Sequence, residues 1–127
     1  MARRKYFTEI KMIKAYTTLL GSIPVIGLIL LASLSVVMGD YAAKAWSVSQ
    51  KPSLLFLAFL GYFLSGFFYI PTLLREGLIV TSVIWAIIST VGFLLIGFVI
   101  FKEQLSFLQI IAVIIGIISI IMLSVFE

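Results

Sequence analysis

The sequence contains no cysteine and no histidine. Disulfide frameworks, thiol chemistry and the usual transition-metal clusters are excluded on inventory alone. Charge is scarce as well: 11% of the 127 residues are charged against 63% hydrophobic, and mean hydropathy is +1.29. A water-soluble domain this small has too little interior to hide so much apolar surface. Long loops are also missing. No polar break between the main apolar stretches exceeds about six residues, which leaves no room for a catalytic domain outside them. P-loop, GxSxG, HExxH and CxxC patterns do not occur, and no apolar stretch carries a pair of carboxylates. An enzyme is not expected, and neither is a bound cofactor or metal.

What remains is apolar sequence in four long pieces, each meeting the roughly 20 residues that a hydrocarbon core of about 30 Å demands. The expected fold is all-α, an integral membrane bundle of four transmembrane helices at 23–46, 53–74, 78–101 and 105–126. These form one transmembrane domain, 21–127, behind a basic N-terminal segment, 1–20. Pro24 falls in the first turn of the first span, where a missing N–H costs nothing, and Pro71 is expected to bend or end the second. The short connections make successive helices antiparallel neighbours.

Five of the nine basic residues, Arg3, Arg4, Lys5, Lys11 and Lys14, lie in the leading segment. Ile10, Ile13, Tyr16, Thr17 and Leu20 recur there at helical spacing with lysines between them, the pattern of an interfacial helix. The basic excess therefore points to an anionic membrane surface as partner and not to nucleic acid. The apolar stretch that follows is long and has no small-x-small cleavage site, so the segment is expected to be retained. Four crossings put both termini on one side with Arg75, giving six basic residues there against Lys44, Lys51 and Lys102 opposite. Cytoplasmic termini in a prokaryotic inner or plasma membrane are expected. That orientation rests on the leading segment, without which the count is one against three.

Two ionisable side chains fall within a span, Asp40 and Lys44. They are four residues apart on one helical face, with the acid first, the favourable order for pairing. A charge at membrane depth costs roughly 2.5–3.5 kcal/mol on insertion scales, so such residues face a bundle interior, a cavity or a partner charge. Asp40 is the first candidate to bind a cation or exchange a proton, with Lys44 modulating it. The plainer reading is that both occupy the last turns and reach the interface beside Trp46. In the third span Ser82, Trp85, Ser89 and Gly92 form a polar, aromatic and small stripe at three- and four-residue spacing. It can line a binding cavity, with Trp85 offering a π face to a cation, or serve close helix packing. The second span is rich in aromatics, mostly packing or lipid contact. Tyr62 and Tyr69, seven residues apart, are its better candidates for a site. On the fourth span Ala112, Gly116 and Ser119 place small residues on one face, read as an oligomer interface or as packing within the bundle.

From Trp85 onward the chain resembles the small multidrug resistance family, within the wider drug/metabolite transporter group. The resemblance is carried by Ile84-Trp85, by a third helix bearing hydroxyls and glycine, by the Phe101-Lys102-Glu103-Gln104-Leu105 turn and by the small-residue face of helix four. It covers about a third of the chain well, and Trp85 and Leu105 keep the family's separation. It implies a dimer, commonly antiparallel, that exchanges protons for cationic or guanidinium solutes at a carboxylate in helix one. Trp85 would line the solute site, and Ala112 and Ser119 would occupy helix-four dimer contacts. The family's glutamate position falls near Val36 here, with Asp40 one turn further on. Ser82 stands where a tyrosine is usual, and Ile87 and Ser89 replace a glycine pair.

The function expected from these readings is transport of small cationic or amphipathic solutes by a homodimer, proton-coupled through Asp40. The predicted site comprises Asp40, Lys44, Tyr62, Ser82, Trp85 and Ser89. Two alternatives stay open: a non-transporting subunit or scaffold of a larger membrane complex, and flipping of a lipid-linked substrate.

Overall fold

The computed structural model describes residues 2–125, and no strand occurs among them. Five α-helices follow one another: α1 (Ala2–Gly21), α2 (Val25–Ser49), α3 (Pro52–Tyr69), α4 (Leu78–Leu95) and α5 (Phe107–Val125). α3 tightens at its end into a 3-10 segment, Ile70–Leu74, and α4 widens into a π-type turn, Ile96–Ile100. With these extensions Val25–Ser49, Pro52–Leu74 and Leu78–Ile100 are long and apolar enough to cross a membrane. α5 is a further apolar helix of 19 residues. Residue 126, the expected end of the fourth span, lies outside the described residues.

The helix ends show why the elements start and stop where they do. Pro24 is the N-cap of α2 and not a residue of its first turn, and its carbonyl accepts the Leu28 N–H at 3.1 Å. Either position spares the absent donor. α2 runs three residues past the expected 46, ending when Gln50 turns left-handed (φ 58°) and returns its N–H to the Trp46 carbonyl at 2.7 Å. Lys51 is then extended, as the residue before a proline must be. α5 opens two residues later than expected because Ser106 and Gln109 form a reciprocal cap. The Ser106 N–H donates to Gln109 Oε1 at 2.9 Å, and the Gln109 N–H donates to Ser106 Oγ at 3.3 Å.

Pro71 acts at the end of the second span as its chemistry requires. In a regular helix the Phe67 carbonyl would accept the N–H of residue 71, and proline has none. The Tyr16 hydroxyl of α1 donates to that carbonyl instead, and the two rings pack with centroids 4.9 Å apart. Burial pushes the Tyr16 phenol above its ordinary pKa, so the group stays protonated and a donor throughout the neutral range. Leu20, one turn on, is buried. α1 is thus tied to the bundle through its last two turns, while residues 2–9 and 11–15 are exposed.

The packing centre is α2 against α3. Ala58, Gly61 and Ser65 form the buried seam of α3 and cross α2 at Gly39. A Cβ on Gly61 would stand 2.7 Å from the Cα of Gly39 and 2.8 Å from the Ser35 carbonyl oxygen, so the backbones touch there. α4 packs on α2 with Gly92 against Val37, where a Cβ would come within 2.5 Å of the valine Cγ2. Small residues thus replace large ones wherever two helices must meet closely. Arg75 donates through Nη2 to the Ile23 carbonyl at 2.8 Å, which sets the α3–α4 turn beside the start of α2. α5 packs chiefly on α4.

Candidate functional site

The crossing of α2 and α3 builds the site. Gly39 precedes Asp40 and Gly61 precedes Tyr62, so the same backbone contact that seats the helices brings these two side chains together. Tyr62 donates its hydroxyl to Asp40 Oδ1 at 2.8 Å. Lys44 is directed elsewhere: its Nζ stands 3.6 Å from Glu103 Oε1, in the turn before α5. The favourable four-residue spacing of Asp40 and Lys44 is therefore not where either finds its partner. Asp40, Lys44 and Glu103 together line an open cleft of about 390 Å³ between α2 and the end of α4. Glu103 is held there by its own N–H, which donates to the Gly97 carbonyl at 2.9 Å, and by left-handed Lys102 (φ 51°) before it.

Both members of the Lys44–Glu103 pair are about half exposed, 48% and 50%. Such a pair contributes no more than about 1 kcal/mol. Glu103→Gln is expected to lower the unfolding free energy by at most that amount, measured by denaturant unfolding in detergent.

A second and larger cleft, about 530 Å³, lies between α2, α3 and α4. Its wall includes Val36, Tyr62, Ser65, Tyr69, Ser82 and Trp85, so Tyr62 belongs to this cleft and to the Asp40 contact at once. Tyr69 and Ser82 share a hydrogen bond of 2.7 Å, and the Tyr69 ring meets Trp85 edge to face with centroids 6.1 Å apart. The indole Nε1 of Trp85 is buried and finds no hydrogen-bond partner among the described residues. A buried donor left unpaired costs about 1–3 kcal/mol. Trp85→Phe is therefore expected to leave thermal stability within about 1 kcal/mol of the parent, since the lost volume offsets the removed donor. Thermal unfolding in detergent is the measurement that checks this.

The predicted residues divide accordingly. Tyr62, Ser82 and Trp85 share the larger cleft, and Asp40 joins them through Tyr62. Lys44 stands one turn away with Glu103. Ser89 is buried, its hydroxyl has no partner among the described residues, and it takes no part in the wall of either cleft. Ala112, Gly116 and Ser119 are exposed on α5, with nothing within 4 Å of the place a Gly116 Cβ would take. Glu103 and Ser65 were not among the predicted residues. Glu103 reads in sequence as one more charge in a loop. Ser65 follows Gly61 at the four-residue spacing that marks a close helix contact, and that signal was available.

No protein-family model matches the chain, and no curated protein matches it. Fold and site together define an all-helical protein with three helices long and apolar enough to cross a membrane, compatible with an integral membrane protein, and with an aromatic, hydroxyl-lined cleft joined to one carboxylate.

Proposed function

We propose that the chain is a four-helix membrane transporter of the small multidrug resistance type, moving small cationic or amphipathic solutes as a homodimer with protons exchanged at Asp40. The observation that carries this reading is the cleft whose wall, with Tyr69, Ser82 and Trp85 in it, is joined to Asp40 through the Tyr62 hydroxyl. A solute there meets aromatic faces suited to a cation, hydroxyls and, one hydrogen bond away, a carboxylate. Val36 adds to the support. The resemblance sets the family's carboxylate near this position, which here is an apolar part of the wall, and the Tyr62–Asp40 bond returns a carboxylate to the cleft from one turn along. α5 supplies the fourth crossing, since 19 residues rise about 28 Å, close to the thickness of the hydrocarbon core. Four helices give one structural repeat, and alternating access uses two, hence the dimer. The exposed Ala112, Gly116 and Ser119 face of α5 is its contact, and the termini face the cytoplasm of a prokaryotic cell.

The test is proton release from purified protein in detergent on adding guanidinium, quaternary ammonium and polyamine compounds, followed by uptake of any active compound into vesicles under a pH gradient. Release with uptake supports the reading. A folded protein that neither releases protons nor takes up solute overturns it in favour of a subunit of a larger complex, the reading that the broad exposure of α5 would then support.

A further inference from the structure

α1 has two unlike faces, and only one of them is used by the bundle. Tyr16 and Leu20 face inward onto the end of α3 and its 3-10 segment. At about 100° per residue, Arg3, Arg4, Lys11 and Lys14 fall within an arc of about 100° on the opposite side. All four are exposed, and the helix's acid, Glu9, lies outside that arc. Tyr6, Met12 and Ile13, outside the arc as well, are exposed apolar side chains; Phe7 is exposed inside the arc, and Lys5 is a fifth exposed basic residue outside it. A helix with four of its five basic residues gathered on one side, most of its apolar ones elsewhere and little net hydrophobicity suits the plane of a headgroup layer, with those charges at the phosphates. Four basic side chains with no acid among them are complementary to an anionic lipid surface.

The inward face makes the position of α1 matter to the cleft. Its Tyr16 hydroxyl serves the carbonyl that Pro71 leaves without an N–H, two residues before Tyr69. Tyr69 is part of the cleft wall, bonded to Ser82 and set against Trp85. Beyond it, the Arg75 and Glu76 N–H groups donate to the Thr72 carbonyl at 3.0 and 2.9 Å and close the 3-10 segment.

We propose that α1 is a strap held by anionic lipid: headgroup phosphates bind the Arg3, Arg4, Lys11 and Lys14 face, and that binding keeps Tyr16 on the Phe67 carbonyl and so fixes the Tyr69 wall of the cleft. This rests on the membrane reading of the chain but not on what the cleft carries. The test is amide hydrogen exchange of the full chain in two kinds of vesicle, phosphatidylcholine alone and the same lipid with about a third phosphatidylglycerol, where each basic residue near the surface contributes roughly a fivefold preference. Anionic lipid is expected to slow exchange at least about tenfold in α1 and, through Tyr16, at residues 70–76. Replacing the four basic residues with glutamine removes both effects. Tyr16→Phe keeps the first and loses the second. Equal exchange in the two vesicles, or protection at 70–76 that survives Tyr16→Phe, overturns the strap. Protection of α1 by a soluble oligonucleotide in neutral vesicles as strong as that by anionic lipid overturns the lipid assignment. A chain that washes off the vesicles under alkaline extraction overturns the membrane reading along with it, so the two failures are distinguishable.

Discussion

Gly61→Ala is expected to destabilise the chain by about 1–3 kcal/mol, and Gly61→Leu to separate α2 from α3 altogether. The new Cβ would fall 2.7 Å from the Gly39 Cα and N and 2.8 Å from the Ser35 carbonyl oxygen. Those are backbone atoms, so no side chain can rotate away; one helix must move. A glycine within a helix ordinarily gains about 0.5–1 kcal/mol on becoming alanine, which the clash outweighs here. Gly66 is the control. It sits on the same helix with nothing within 4 Å of its missing Cβ, and Gly66→Ala should be neutral or stabilising by up to about 1 kcal/mol. Denaturant unfolding in detergent reads both. A second readout follows from the geometry, because Gly61 and Gly39 adjoin Tyr62 and Asp40. Displacing the crossing lengthens the Tyr62–Asp40 contact, so solute binding should suffer in Gly61→Ala even at temperatures where the variant remains folded. If Gly61→Leu proved as stable as the parent, the close crossing would be wrong.

How much of this was legible in the sequence differs between fold and site. All-helical architecture and the rough limits of the long apolar helices follow from hydropathy and from Pro24, Pro52 and Pro71, because each is a local signal. The π-type turn at Ile96–Ile100 was not legible: Ile-Gly-Phe-Val-Ile reads like any other apolar helix. Within the site, Asp40, Tyr62 and Trp85 stand out by chemistry alone, as charge or hydrogen-bonding groups in apolar surroundings. Their partners do not. The spacing of Asp40 and Lys44 says that they share a face, but a shared face does not choose between a neighbour on the same helix and one across a contact. Gly39 and Gly61 decide the matter by letting the backbones meet, after which Asp40 reaches Tyr62 and Lys44 is left to Glu103. That choice is tertiary. The same holds for Ser89: its place in a polar stripe gave it the rank of Ser82 and Trp85, yet the stripe turns with the helix, and Ser89 ends in the packing. Tyr16 was legible as an apolar position of an interfacial helix, but its bond to Phe67 depends on what Pro71 withholds 55 residues later.

The other large effect is expected at Asp40. Asp40→Asn should abolish solute-linked proton release and lower uptake by about 10–100-fold, since a hydrogen bond to a charged group is worth about 1.5–3 kcal/mol. The replacement is nearly isosteric, and its amide oxygen still accepts the Tyr62 hydroxyl, so the α2–α3 contact has no reason to open. Lys44 stays neutralised by Glu103 and is not left as an uncompensated charge. The variant should therefore unfold close to the parent, which separates loss of the carboxylate from loss of the fold. Tyr62→Phe makes the complementary change: the carboxylate remains, but its link to the cleft is cut. It should leave the carboxylate in place while uncoupling it from the solute, seen as loss of the proton release that the compounds otherwise trigger. If Asp40→Asn kept full release and uptake, the proton would be leaving from another group. Glu103 would then be the next to test, because it shares the smaller cleft with Asp40 and Lys44 and is the other carboxylate there.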